Sequence, residues 1–373
     1  MPDPLVSVKM ITYNHAPYIA RAIEGVLAQR VSFPIELVIG EDCSTDGTRD
    51  IVCAYQRKHP DVIRVLSSDT NVGMKQNSYR TMKACRGKYV AFCEGDDYWH
   101  HTGKLQRQAD YMERHPDCGL IFSDYDVYHV SSRRLRRDFL KHEQWTMPKD
   151  PAIWDFFCRR FPIILTCTVM TRRTLSWQII DSDPYLHQSD HFLMGDAQHW
   201  LETAVRARVH YISESLATYT QTEESATRSK DIKRILRFAV SNAEVFIYLC
   251  DKHNLPSSVR NACEASWCDA SLRLAYHTRN IELADEVRRK TRAFTCKQWL
   301  RYYAVKNSAL YYPFRFAASF RSVLWSACKR WPWRQGLFGD LRTLSSSSLT
   351  GVEASPTSAA AHATGRGPSR SGH

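Results

Sequence analysis

The chain has 373 residues, of which 43% are hydrophobic, so it is long enough for one large domain with an appendage or for two domains. Its twelve cysteines include no CxxC pair, which favours reduced thiols in a cytosolic setting over a disulfide framework. The net charge of +12 equals the number of Lys and Arg residues from Val287 to Gly339, a stretch without Asp or Glu. The N-terminus lacks a basic-then-apolar leader, and no run of about 18 apolar residues occurs, so we expect a cytoplasmic protein without a spanning helix.

Strand and helix patterns alternate over roughly the first 120 residues. Apolar or β-rich runs predict strands at Val6–Thr12, Ile35–Gly40, Val62–Leu66, Lys88–Cys93 and Cys118–Ser123, and helical spacing predicts helices near Ile19–Leu27, Thr48–Lys58, Gln76–Cys85 and Leu105–Met112. This alternation predicts an α/β fold with a mostly parallel sheet between two layers of helices. Because ligands of such sheets bind outside the carboxyl ends of the strands, we expect the polar loops 12–15, 41–46 and 94–97 to converge on one crevice.

Three acidic residues, Glu94, Asp96 and Asp97, follow the fourth predicted strand. Carboxylates this close raise one another's pKa unless a cation or a hydrogen-bond donor lies among them. A divalent cation is the usual partner of such a cluster, and it often binds phosphates as well. The sequence has no GxGxxG after the first strand and no P-loop, so a metal rather than a glycine-rich loop would hold any phosphates. The alternative is a solvated acidic turn.

Four ordered segments resemble the large family of inverting nucleotide-sugar glycosyltransferases often called family two. The segments are Val6–Asn14, Glu41–Thr48, Asn71–Gly73 and Gly87–Trp99, and the resemblance covers about Val6 to Tyr125. It implies a single GT-A-type (Rossmann-like) domain that binds a nucleotide-diphosphate sugar together with Mn²⁺ or Mg²⁺. It also implies a transferase that acts on a saccharide or lipid-linked hydroxyl acceptor in surface polysaccharide or glycolipid assembly.

The resemblance also implies site residues. The nucleotide contacts would be Tyr13, Glu41, Asp42, Glu94 and Asp96, and the metal ligands would be Asp96 and Asp97. Tyr13 would stack on the base and Asp42 would hydrogen-bond its edge, with Glu41 beside it. Glu94 stands where the family more often has Asp, and it would reach the metal or the ribose. As alternatives, Tyr13 packs on the following helix and Asp42 caps the next one.

An inverting transfer also needs a general base for the acceptor hydroxyl. Asp196 follows Gly195 and begins an apolar-periodic segment, which is where the family keeps its base. The alternatives are that Asp196 only caps this helix, or that the base is Asp190, His191 or His199. The segment Gln221–Thr227 lacks the His with which many relatives bind the diphosphate.

We predict a catalytic domain at 1–228, with a nucleotide-sugar half at about 1–125 and an acceptor half at about 126–228. Residues 229–338 are predicted to be helical and, towards their end, basic and aromatic; the Ser- and Ala-rich tail 339–373 is predicted to be disordered. The basic, aromatic stretch 294–333 suits an anionic membrane surface, which would place the protein peripherally on the inner face of the plasma membrane. Internal packing of these helices is the alternative, and we expect no nucleic-acid partner.

Two other functions are compatible with an α/β fold that carries clustered carboxylates. A metal-dependent nucleotidyltransferase would need a glycine- and Lys/Arg-rich loop after the first strand, and Thr12–Pro17 lacks one. A non-catalytic nucleotide- or glycan-binding module is disfavoured by the intact acidic cluster and by Asp196.

Overall fold

The computed structural model describes residues 3–143, 164–222 and 231–307, which all lie in one compact unit, Met1–Tyr311. The strands are β1 (Val6–Thr12), β2 (Ile35–Glu41), β3 (Ile63–Leu66), β4 (Tyr89–Phe92), β5 (Tyr98–Trp99), β6 (Cys118–His129), β7 (Arg134–Arg136), β8 (Met170–Arg172) and β9 (Arg208–Gln221). The predicted boundaries near residues 228 and 338 remain predictions, and the tail 339–373 lies outside the described residues.

Twelve α-helices are described, numbered here in chain order. They are α1 (Ile19–Leu27), α2 (Thr48–Lys58), α3 (Met74–Ala84), α4 (Lys104–Arg114), α5 (Phe139–His142), α6 (Arg173–Ser182), α7 (Pro184–Gln188), α8 (Asp196–Arg206), α9 (Ile232–Lys252), α10 (Ser257–Thr278), α11 (Ile281–Lys290) and α12 (Cys296–Lys306). No helix among the described residues is long and apolar enough to cross a membrane.

The described strands form one sheet in the order β3-β2-β1-β4-β8-β6-β9-β5, with β7 paired to β6. Strands β1 to β4 pair in parallel, and β6 pairs in parallel with β9. The short strand β8 lies antiparallel between β4 and β6 and joins the two parallel halves. The α/β fold is therefore confirmed, and β8 makes the sheet mixed.

Both faces of the central strands are buried, as expected for parallel strands between helical layers. One layer packs β1 side chains such as Val8 and Met10 against Ile23 of α1 and Leu105 of α4. The other layer packs Phe92 of β4, among others, against helices that include α3 and α8. Period-two alternation along the strands thus divides the core into two clusters.

Two parts of the chain differ from the sequence prediction. The β-rich run Ile163–Met170 predicts a further strand, but where the structure describes this run it is a 3₁₀ turn at Thr166–Thr168 followed by β8. The turn directs the Cys167 carbonyl at the Trp99 indole N–H, which donates to it at 2.8 Å. Strand β6 runs six residues past the predicted end at Ser123, because its partner β9 continues to Gln221.

The C-terminal helices pack on the end of the catalytic fold. Val245 and Leu249 of α9 join Leu186, Phe192 and Leu201 in one apolar cluster. The Lys252 ammonium lies 2.6 Å from the Asp183 carboxylate and 3.1 Å from that of Glu202 on α8. Helix α9 therefore anchors α8. Residues 308–333 of the basic, aromatic stretch lie outside the described residues.

Lys104, the first residue of α4, generates a pH prediction. Its ammonium is fully buried, donates to Gln108 Oε1 at 2.7 Å, and lies 4.3 Å from the centre of the Trp99 ring. Burial lowers the pKa of Lys104 to about 7 from its ordinary 10.5. Between these values the unfolded chain binds a proton that the folded chain does not, so this residue makes the free energy of unfolding rise with pH across that window.

We expect Lys104→Met to flatten this rise and to make the protein more stable than the wild type at pH 7.5. The measurement is urea denaturation of both proteins at pH 7.5 and 9.5. Lys88→Met is the matched control, because Lys88 is half-exposed beside Glu113, which raises its pKa. An identical pH slope in wild type and Lys104→Met would contradict the prediction.

Candidate active site

The loops that follow β1 and β2 are joined by hydrogen bonds. The backbone N–H of Asn14 donates to Ser44 Oγ at 3.0 Å, and that of Ala16 donates to Asp46 Oδ2 at 2.9 Å. The backbone N–H of Thr45 donates in turn to Asn14 Oδ1 at 2.9 Å. Asn14 has a left-handed φ of 55°, a conformation in which Asn is enriched among non-glycine residues. The two loops thus form one rim of the crevice.

The third predicted loop, here called the acidic loop (Glu94–Asp97), packs directly against this rim. The Gly95 N–H donates to the Ile11 carbonyl at 3.0 Å. A Cβ at position 95 would lie 2.7 Å from Thr12 Oγ1 and 2.9 Å from His15 Nδ1, so only glycine allows this approach. The three polar loops therefore converge at the carboxyl ends of their strands.

The residues expected to bind the nucleotide base differ in exposure. Tyr13 is 43% exposed at the mouth of the crevice. The Asp42 carboxylate is buried and accepts from the backbone N–H groups of Val72 (2.8 Å) and Gly73 (3.0 Å). Glu41 is fully buried, and its two oxygens accept from the Ser44 N–H and from Arg49 Nε, each at 2.6 Å. Glu41 is thus engaged within its own loop, whereas Tyr13 presents an open aromatic ring.

The three carboxylates of the acidic loop also differ. Asp97 is buried, and its Oδ1 accepts from the Thr220 N–H of β9 at 2.8 Å. Burial, together with the charges of Asp96 and Glu94, raises the pKa of Asp97. Glu94 and Asp96 are half-buried, and Glu94 Oε2 is a buried oxygen without a hydrogen-bond partner in the described part of the chain. Asp97 therefore fixes the loop, whereas the partly exposed Glu94 and Asp96 carboxylates can still bind a ligand.

Glu94 lies in a strongly charged environment. Burial raises the pKa of Glu94 to about 7; the Lys9 charge opposes this rise, and the charges of Asp96 and Asp196 add to it. Glu94 is therefore close enough to Asp196 for the two charges to interact, although 102 positions separate them in the chain.

The carboxylates of the acidic loop suit a metal ion that is shared with substrate phosphates better than a metal ion bound by protein side chains alone. Within residues 3–143, 164–222 and 231–307, no group of three or more His, Cys, Asp or Glu side chains is arranged to hold a metal ion. Mg²⁺ usually binds one or two carboxylates and completes its shell with substrate phosphates and water, and carboxylates also suit Mn²⁺. The unpartnered Glu94 oxygen and the half-buried Asp96 supply such a partial ligand set.

Asp196 is the first residue of α8. Thr166 Oγ1 donates to its Oδ2 at 3.1 Å, and the Ala197 N–H donates to its Oδ1 at 2.8 Å. One helical turn further on, the Trp200 ring packs edge-on against the Phe92 ring, with the two ring centres 5.2 Å apart. Phe92 is the last residue of β4 and precedes Glu94 by two residues. Helix α8 is therefore docked so that its start lies beside the acidic loop.

The other candidate bases occupy less suitable positions. His199 is buried, its Nε2 lies 3.1 Å from Ser176 Oγ, and burial lowers its pKa to about 3. Asp190 and His191 are exposed on the segment that precedes α8, and the His191 ring stacks on Tyr185. Of the four candidates, Asp196 is the one that combines partial burial with a defined position near the acidic loop.

Comparisons with known proteins show the family to which the chain belongs. The family described as "Glycosyl transferase family 2" matches residues 7–180. The putative teichuronic acid biosynthesis glycosyltransferase TuaG of Bacillus subtilis is 31% identical over 229 residues, which are 61% of this chain and 83% of that protein. The chain belongs to glycosyl transferase family 2. The resemblance of the four segments is therefore confirmed, and the chain carries a glycosyltransferase domain.

Two further similarities concern the length of the matched region and the fold. An uncharacterized protein of Mycobacterium tuberculosis is 34% identical over 190 residues, so the chain spans about half (52%) of that relative's length. The mannosyltransferase PcManGT of Pyrobaculum calidifontis, solved with GDP-Man and Mn²⁺, superposes with a TM-score of 0.50 over 90% of this chain and 88% of that chain. At 15% identity this likeness shows the fold alone.

Several residues at this family 2 site were not predicted from the sequence. Thr220 and Thr166 hold Asp97 and Asp196, but these bonds join positions 123 and 30 residues apart, so no local pattern indicates them. Lys9 could have been recognised from the sequence, because this lysine lies inside a predicted strand between the apolar residues Val8 and Met10, both of which are fully buried. An interior lysine in a parallel strand indicates a buried charge that needs a partner.

The Thr220–Asp97 bond predicts a difference between two substitutions. Asp97→Ala leaves the Thr220 N–H without its acceptor in a buried position, which should lower the free energy of unfolding by about 1–3 kcal/mol. Asp97→Asn keeps an oxygen in place and should remain close to wild type. Asp96→Ala is the control for removing an acidic-loop charge. Thermal and urea denaturation of the metal-free proteins measure the effect, and equal stability of Asp97→Ala and Asp96→Ala would count against it.

Proposed function

We propose that this chain is a metal-dependent inverting glycosyltransferase that transfers a sugar from a nucleoside-diphosphate sugar to an acceptor hydroxyl in a single displacement. The observation that carries the proposal is the placement of Asp196, half-buried and hydrogen-bonded to Thr166, beside the acidic loop. The Asp196 carboxylate provides the base that such a displacement needs. The acidic loop, which can share a metal with phosphates, provides the site for the leaving group.

The nucleotide would bind over the rim formed by the first two loops. The exposed Tyr13 ring offers a surface on which a base stacks. Asp42 already accepts one N–H on each oxygen, and each oxygen retains a lone pair that can accept from the edge of a base. Glu41 is assigned an indirect role, because its carboxylate shapes the loop through Ser44 and Arg49.

The diphosphate would lie at the acidic loop. We assign Asp96, assisted by Glu94, to the Mn²⁺ or Mg²⁺ ion. Asp97, which the sequence suggested as the second metal ligand, is assigned instead to the support of the loop, because its carboxylate is buried and accepts from the Thr220 N–H. When bound, the metal would neutralise charge on the departing nucleoside diphosphate. The Mn²⁺ and GDP-Man in the PcManGT structure are consistent with this assignment for a protein of the same fold.

Asp196 would accept the proton of the acceptor hydroxyl. The Thr166 hydroxyl and the Ala197 N–H each occupy one of its oxygens and hold the carboxylate in a fixed orientation. Each oxygen still has a lone pair for the incoming proton. Because the acceptor hydroxyl would attack the anomeric carbon in one displacement, on the side opposite the departing nucleoside diphosphate, the transferred sugar would change its anomeric configuration.

The acceptor is proposed to be a saccharide or a lipid-linked saccharide in surface polysaccharide assembly at the cytoplasmic face of the membrane. The name of TuaG, a putative teichuronic acid biosynthesis glycosyltransferase, supports this process. The proposed contact with an anionic membrane rests on the basic, aromatic composition of residues 294–333. Membership of family 2 favours sugar transfer over nucleotidyl transfer.

Asp196→Asn should lower the rate of sugar transfer by about 10²–10⁴-fold, because it removes the base and leaves the shape of the site. The binding of nucleoside diphosphate with Mn²⁺, followed by calorimetry, should remain near wild type. A donor screen with product mass spectrometry gives the transfer assay. Asp190→Asn is the matched control and should stay active. Full transfer activity in Asp196→Asn would overturn the assignment of the base.

Asp96→Ala should remove the gain in nucleoside-diphosphate affinity that Mn²⁺ gives to the wild type. The reason is that a shared metal loses a protein ligand while Tyr13 and Asp42 remain. Calorimetric titrations with UDP and GDP, each with Mn²⁺ and with EDTA, measure the gain. Asp110→Ala, at an exposed position of α4, is the control. An undiminished Mn²⁺ effect in Asp96→Ala would refute the metal assignment.

A further inference from the structure

Lys9 is a buried cation in the middle of β1. Only 7% of the residue is exposed, and its ammonium donates to Ser78 Oγ of α3 at 2.6 Å. Burying an ammonium group removes it from water, and the free-energy cost is far larger than one hydrogen bond to a hydroxyl can offset. An opposite charge nearby is therefore expected. Burial lowers the pKa of Lys9, while the charges of Glu94, Cys85 and Asp196 act to raise it.

The strand register places Lys9 on the same face of the sheet as Glu94. Lys9 pairs with Phe92 of β4, and paired residues of neighbouring strands point to the same side. The ladder continues past β4, because the Cys93 N–H donates to the Lys9 carbonyl at 3.0 Å. Glu94, two residues after Phe92, therefore faces the side on which Lys9 lies.

The same face also carries the start of α8. The Lys9 ammonium lies 5.2 Å from the centre of the Phe92 ring, and the centre of the Trp200 ring of α8 also lies 5.2 Å from it. Asp196 precedes Trp200 by four residues and so shares its side of the helix. Lys9 is thus directed towards the region between the acidic loop and Asp196.

We propose that Lys9 is a positioning residue for sugar transfer, whose ammonium balances the charges of Glu94 and Asp196 and holds the two carboxylates at a fixed separation. Lys9 touches neither the donor nor the acceptor. Without it, two carboxylates from different halves of the domain repel each other in a partly buried site. This inference rests on the proposed role of Asp196 as the base.

The test compares Lys9→Met, which keeps the length of the side chain and removes its charge, with Lys9→Arg, which keeps a charge. We expect Lys9→Met to fold with a melting temperature below that of the wild type, because the two carboxylates lose the charge that balances them. Its kcat for transfer should fall by about 10²-fold, since misplaced catalytic groups cost about this much. Its KM for the donor should change by less than about 3-fold, and Lys9→Arg should recover most of kcat.

Ser78→Ala is the matched control, because it removes the hydroxyl partner of Lys9 and leaves the ammonium. It should retain kcat close to wild type. The proposal is overturned if Lys9→Met keeps wild-type kcat, if Lys9→Arg is as impaired as Lys9→Met, or if Ser78→Ala loses as much activity as Lys9→Met. Any of these results would show that charge balance is not what Lys9 contributes.

A parallel assay of Asp196→Asn separates this inference from the proposed function. An inactive Asp196→Asn together with an active Lys9→Met would refute the role of Lys9 alone. An active Asp196→Asn would refute the proposed base, and the role of Lys9 with it.

Discussion

Four carboxylates, those of Glu94, Asp96, Asp97 and Asp196, are brought to one crevice, and their mutual repulsion is the constraint that the surrounding structure has to meet. The crowding arises because three of them are neighbours in the loop after β4 and because α8 begins with Asp196 beside that loop. Three of these carboxylates meet the constraint in different ways. Asp97 is buried against the Thr220 N–H, and Asp196 is held by Thr166 and its own helix start. Asp96 remains partly exposed, so that a metal shared with phosphates could neutralise it.

Much of this arrangement could be predicted from the sequence, for local reasons. The apolar runs at Val6–Thr12 and Ile35–Gly40 and the helical face of Ile19–Leu27 report their own burial, and the strand ends identify the loops that converge. The antiparallel β8 could not be predicted, because its place in the sheet depends on pairing with β4 and β6. The 3₁₀ turn at Thr166–Thr168 could not be predicted for a similar reason, because the Cys167 carbonyl in this turn accepts a hydrogen bond from the side chain of Trp99, which is distant in sequence.

The site residues show the same division between local and distant causes. The acidic loop was recognisable because its three carboxylates are neighbours in sequence. Their separate environments depend on β9 and β1, which pattern reasoning does not bring together. Glu41 illustrates the limit: its nucleotide contact stays a prediction from a motif, and the hydrogen bonds that its carboxylate accepts from Ser44 and from Arg49 of α2 could not be read from that motif.

The C-terminal helices contribute to the site through α8. Lys252 of α9 bridges Asp183 and Glu202, and the apolar cluster around Val245 and Leu249 packs on the same side. Because Asp196 begins α8, the appendage that the sequence suggested as a separate region helps to position the proposed base. A change in α9 would therefore reach the crevice through packing rather than through direct contact.

The stereochemistry of the transferred sugar tests the proposed single displacement most directly. Once a donor has been found, the anomeric configuration of the product of a short incubation can be read by proton NMR. Direct attack by an acceptor hydroxyl that Asp196 deprotonates predicts a product whose anomeric configuration is opposite to that of the donor. Retention of the donor's configuration would contradict the proposed mechanism.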